Sequence, residues 1–120
     1  MMMAPASPPL PAVLDEIADH AGRDAAMAIA LAHGGQAWRV PARAESPKGR
    51  ALEQLVGGDA AHALVEGCGG HVLEVPLARR AVVAWLGKQG LGASEIADRL
   101  RISQRTARRY LREARGGCSS

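Results

Sequence analysis

The chain has 120 residues and a mass of 12.5 kDa, room for one compact domain or a small domain with a satellite. Aromatic residues are Trp38, Trp85 and Tyr110 with no Phe, which argues against a large sheet-on-sheet core, and abundant alanine favours thin, closely packed helices. The net charge of +3 hides a split, because residues 1–76 carry a net of −4 and residues 77–120 a net of +7, an asymmetry that points to a polyanionic partner at the C-terminal end.

Two cysteines, Cys68 and Cys118, are too few for a disulfide framework and fit a reducing cytosol. No apolar run approaches the roughly 20 residues needed to span a bilayer. The start, Met1 to Pro5, has neither a basic region nor an apolar signal core. Export and membrane association are disfavoured, and a cytoplasmic location is expected.

Residues 1–9, with Pro5, Ser7, Pro8 and Pro9, read as a disordered lead-in. Residues 10–76 contain an internal repeat at an offset of 35. Gly22-Arg23-Asp24-Ala25-Ala26 lines up with Gly57-Gly58-Asp59-Ala60-Ala61. Gly34-Gly35 matches Gly69-Gly70, and each pair is followed by four residues and a Val-Pro, Val40-Pro41 and Val75-Pro76. Over the 25 positions from Ile17 to Pro41, nine are identical to their counterparts.

Each unit predicts helix, helix, Gly-Gly, short strand and proline. Ala18, Ala21, Ala25, Ala28, Ile29 and Ala32 form an apolar face at helical spacing. Gly34 is the candidate for a left-handed helix stop. Gln36–Val40 and His71–Val75 are the predicted strands, with Trp38 and Val40, and Leu73 and Val75, alternating onto one face. Strands this short need a partner, so Trp38, Val40, Leu73 and Val75 are the candidate strand-pairing and assembly residues. Pro41 to Arg50 reads as a polar linker between the repeats. The linker and following helices are long enough for the two strands to pair antiparallel within one chain, with dimerisation left to the remaining apolar helix faces.

From Leu77 the pattern changes, and residues 77–116 are expected to form a helix-turn-helix domain. Ala78 to Gln89 reads as a helix with Val82, Val83, Leu86 and Trp85 inward, broken by Gly90-Leu91-Gly92. Ser94 is the predicted cap of a helix Glu95 to Leu100. Arg101-Ile102 forms the turn, a place that wants a left-handed residue and where arginine costs about 1 kcal/mol relative to glycine. Ser103 caps a third helix, Gln104 to about Arg115, packed down by Ala107, Leu111 and Ala114. Gly116 to Ser120 reads as a frayed tail.

At about 100° per residue, Arg105, Arg108, Arg109 and Arg112 share one arc opposite Ala107 and Ala114. Such a helix suits a groove lined with phosphates, and its first turn holds Gln104 and Arg105, the side chains that pair bidentately with adenine and guanine. The candidate DNA-binding set is therefore Ser103, Gln104, Arg105, Arg108, Arg109 and Arg112, with Arg79 and Arg80 on the first helix. The bland alternative is a merely solvated arginine face; few local acids and the motif's spacing speak against it. Tyr110 packs its ring on the core in this reading, with its hydroxyl toward a phosphate.

The predicted class is thus mainly α: an Ala-rich helical body with two short β-strands and a C-terminal tri-helical helix-turn-helix. The combination resembles the Mor transcription activator family, the middle-operon regulators of Mu-like phages. The resemblance rests on Gly69-Gly70-His71-Val72-Leu73-Glu74-Val75-Pro76, the Ala-rich helix before it and the helix-turn-helix after it, and on Gly34-Gly35-Gln36-Ala37-Trp38-Arg39-Val40-Pro41. It spans most of residues 12–115. It implies a homodimer with an intermolecular strand pair, two DNA-binding motifs on a dyad-like double-stranded site, contact with RNA polymerase, and a place at the nucleoid of a bacterial host. The family carries one Gly-Gly strand unit and this chain carries two, which opens the alternative of a pseudo-dimer within one chain.

Rival classes find less support. An enzyme such as a serine recombinase needs a nucleophile in a catalytic domain, and Ser7 and Ser46 sit in proline-rich, flexible-looking segments. His62, Cys68 and His71 are separated by five and two residues, no standard zinc spacing, so no metal or cofactor is expected. A polymerase- or repressor-binding adaptor would use the same basic face on acidic protein, and a repressor of the same fold is not separable from an activator.

Overall fold

The structure, a computed structural model, describes residues 10–114. The lead-in at 1–9, the end of the third helix at Arg115, Cys118 and the tail from Gly116 lie outside the described residues. Among the described residues there are seven helices and two strands. They fall into two compact units, divided between Ala78 and Arg79.

The first unit contains α1 (Ala12–Ala21), α2 (Arg23–His33), β1 (Gln36–Arg39), α3 (Pro47–Val56), α4 (Gly58–Cys68) and β2 (Val72–Val75). Every helix of the second half begins and ends 35 residues after its counterpart. The strands pair antiparallel within the chain, with Trp38 opposite Leu73. These two residues are repeat counterparts, so a pseudo-twofold axis passes between them. Matching bonds flank it: the Gly35 N–H donates to the Val75 carbonyl at 2.7 Å and the Gly70 N–H to the Val40 carbonyl at 2.8 Å.

Helix packing obeys the same symmetry. Helix α1 packs on α2 and α4, and α3 packs on α4 and α2, so the repeats interlock. Leu14, Ile17, Met27, Ile29, Leu52 and Leu64 fill the core beneath the strand ribbon. Val40 and Val75 are buried on its inner face, while Ala37, Arg39, Val72 and Glu74 are exposed on the other.

Several local expectations need correction. The left-handed position after α2 is Gly35 (φ 82), as is Gly70 (φ 84) in the second repeat. Gly34 has φ −56, and its glycine answers a need for space, since a Cβ there would lie 2.5 Å from the Ala30 carbonyl oxygen. The linker is shorter than Pro41–Arg50. Ser46 caps α3 by accepting the Gly49 N–H at 3.0 Å, and Pro47 opens the helix, where its missing N–H costs nothing. Ser46 is therefore a cap in ordered structure, not part of a flexible segment. The expected alanine face is also only partly inside: Ala25 and Ile29 are buried and Ala32 is exposed. The helix break at Gly22 ends the periodicity, and α1 contributes Leu14 and Ile17 instead.

The second unit contains α5 (Arg79–Lys88), α6 (Ala93–Leu100) and α7 (Gln104–Ala114). Val82, Val83, Leu86, Ile96, Ala97, Ala107 and Leu111 are buried in its small core, and Trp85 is half-buried. Ser94 is not the cap of α6. The helix starts two residues earlier than expected, at Ala93, because Glu95 accepts the Gly92 N–H at 3.1 Å and takes over the capping role from the third helical position. Among the described residues, no helix is long and apolar enough to cross a membrane.

Candidate nucleic-acid interface

The tight joint between α6 and α7 is built from three residues. Arg101 takes the left-handed conformation, φ 57 and ψ 45. The Ile102 N–H then bonds back to the Ala97 carbonyl at 3.1 Å. Ser103 caps α7 by accepting the Thr106 N–H at 3.0 Å, and its hydroxyl donates to Thr106 Oγ1 at 2.9 Å. Ser103 thus serves the helix start.

Helix α7 has a sharply divided surface. Ala107 and Leu111 are buried, and Ala114 is half-buried. Gln104, Arg105, Arg108, Arg109 and Arg112 are all exposed, so the four arginines emerge on the side away from the packing seam. None of the four forms an ion pair among the described residues. Arg108 instead donates to Gln104 Oε1 at 3.3 Å, tying together two residues of the outer face.

On α5 both Arg79 and Arg80 are exposed, and Arg80 has a partner. Arg80 Nε donates to Glu113 Oε1 at 2.9 Å, and its guanidinium lies 4.8 Å from the centre of the Tyr110 ring. Glu113 holds the Arg80 pKa above its ordinary value, chiefly through that hydrogen bond. Arg109 approaches the same ring at 5.4 Å. Tyr110 is thus a platform for two cations. Helices α5 and α7 pack on one another, with the Leu111 side chain seated against Gly87, where a Cβ would lie 2.6 Å from its Cδ2.

In the first unit the assembly residues sit on the ribbon. Val40 and Val75 are buried, Trp38 and Leu73 half-buried, and Trp38 stacks on His33 with ring centroids 5.2 Å apart and planes 14° from parallel. Sequence reasoning missed that stack; the five-residue spacing across a helix end gives no periodic signal. Burial lowers the His33 pKa below its ordinary value. Cys68, the counterpart of His33, is buried, and its pKa is raised by desolvation and the nearby Glu16 carboxylate. Among the described residues no cluster of His, Cys, Asp or Glu is arranged to hold a metal ion.

No curated protein and no solved structure matches the chain. A family model described as a homeodomain-like domain matches residues 75–120. The C-terminal unit is a helix-turn-helix region similar to homeodomain-like domains, and a region of this kind points to DNA as its partner.

Proposed function

We propose that the protein is a sequence-specific, double-stranded-DNA-binding transcription regulator, with α7 as the helix that enters the major groove. The observation that carries the reading is the outer face of α7, where four exposed arginines, without ion-pair partners among the described residues, stand opposite a buried Ala107–Leu111 seam. Gln104 and Arg105 face base edges from its first turn, and Arg108, Arg109, Arg112 and Arg79 neutralise phosphates.

The Gly-Gly strand units supply the finer reading, a Mor-like activator of a phage or prophage that acts as a homodimer beside RNA polymerase. Because the ribbon is closed within one chain, such a dimer uses other surfaces of the body. Replacing Arg105, Arg108, Arg109 and Arg112 together by alanine is expected to abolish affinity for duplex DNA at moderate salt, measured by fluorescence anisotropy on specific and random duplexes. Unchanged affinity would refute DNA binding by this face. Activation is tested by transcription from a promoter recovered by genome-wide footprinting; repression there would reverse the sign of the regulator.

A further inference from the structure

The duplicated body contains its own comparison, since each position in one half has a counterpart 35 residues away. The halves differ around the ribbon edges. On the β2 side, α1 packs against the strand. On the β1 side a cavity of about 390 Å³ is lined by β1 together with α3. That volume lies in the range of small-molecule sites, roughly 300–1,000 Å³.

The lining has been rebuilt relative to the other half. His33 stands where the counterpart is Cys68, Trp38 where it is Leu73, Arg39 where it is Glu74, and Lys48 where it is Val13. Two rings and two cations thus replace a thiol, two aliphatic side chains and a carboxylate. The rings are already stacked. Leu52 is buried in the wall, and Leu55 beside it is 37% exposed, an uncovered apolar surface at the cavity. Neither Arg39 nor Lys48 has an ion-pair partner among the described residues. The Val40 N–H bonds to the His71 carbonyl at 2.9 Å, and alternation along an antiparallel strand then directs the N–H groups of Ala37 and Arg39 to the free edge.

We propose that this cavity binds a small planar aromatic carboxylate. The ring lies against the His33–Trp38 stack and Leu55, and the carboxylate meets Lys48, Arg39 and the free strand edge. Both cations are exposed, so their contribution is charge-assisted bonding at the cavity mouth, while the apolar wall takes up the ring. This site is independent of DNA binding by α7 and stands or falls without it.

The test titrates the full chain with naphthoate and with its neutral analogue naphthylmethanol, followed by amide and indole chemical shifts. Saturable shifts are expected at His33, Trp38 and Leu55, with naphthoate binding about tenfold more tightly than the alcohol, a difference of about 1.4 kcal/mol. Lys48→Met keeps the aliphatic stem and should remove most of that preference. Trp38→Leu, the residue of the other half, should abolish saturable binding. Should Trp38→Leu fail to fold, Lys48→Met on the exposed α3 surface decides the charge selectivity alone. Absence of saturable shifts at millimolar naphthoate, equal affinity for acid and alcohol, or a preference unchanged in Lys48→Met would each overturn the proposal. A parent chain that binds DNA but shows no saturable naphthoate binding refutes the cavity site and leaves the reading of α7 untouched.

Discussion

Arg101 shows how a single backbone angle can be read before any contact is known. The spacing of the helix-turn-helix requires a left-handed residue there, and the structure has φ 57. Arginine pays a steric cost that glycine avoids, so Arg101→Gly should stabilise the C-terminal unit by about 1 kcal/mol. Urea unfolding should show a higher midpoint with an unchanged slope. Gly34 shows the opposite case. Of two adjacent glycines the sequence points to Gly34 as the left-handed stop, but the left-handed residue is Gly35, and Gly34 is glycine because the Ala30 carbonyl leaves no room for a Cβ. His33 carries a prediction of its own. Its pKa is lowered in the folded state by burial, so the unfolded chain binds the proton more readily. The resulting stability is present above the ordinary value of 6.5 and is lost as pH falls through the lower folded value. His33→Phe keeps the ring stack and removes the titration. Thermal melts of this variant should lose less stability than the parent between neutral and mildly acid pH. Parallel losses would show that His33 does not contribute.

Among the elements, α7 was the most legible. Its apolar seam and arginine arc follow from the helical period alone, and Ala107 and Leu111 are buried where that period places them. The Arg80–Glu113 pair was not legible, because it spans 33 residues and depends on how α5 packs against α7. The pair changes what Arg80 contributes. An exposed ion pair adds little to stability, but it leaves Arg80 partly neutralised before any DNA arrives. Under the proposed docking, Arg112→Ala should weaken specific and random duplexes alike and lower the salt slope of binding by about 1. Arg80→Ala should change that slope less, because the cation lost was already facing Glu113. Anisotropy titrations across a salt series check both. A larger slope change for Arg80→Ala than for Arg112→Ala would mean that the pair opens on binding and that Arg80 is the principal phosphate contact.

At the scale of the molecule, the repeat made the fold of residues 10–78 readable, because two copies of one pattern must satisfy each other's open strand edges. The extent of the linker was not readable, since Ser46-Pro47 resembles a turn until a helix follows it. The closed ribbon bears directly on assembly. Strand pairing is satisfied inside the chain by an antiparallel register centred on Trp38 and Leu73, so the pairing that would hold a two-chain ribbon together is already used. A helix-turn-helix acting alone contacts few base pairs, and a twofold pair doubles the site, so function still favours a dimer. The proposed dimer must then depend on a folded body without depending on strand exchange. Val75→Asp places a charge at a buried position and should cost more than about 3 kcal/mol, unfolding the body and abolishing dimerisation together. A fragment ending at Ala78 keeps both repeats and their acidic excess, and should fold, dimerise and show no DNA affinity. Sedimentation at micromolar concentration measures this. A fragment that is folded but strictly monomeric, alongside a full chain bound one per site, would mean that the duplication replaced the dimer and that one helix-turn-helix reads its site alone.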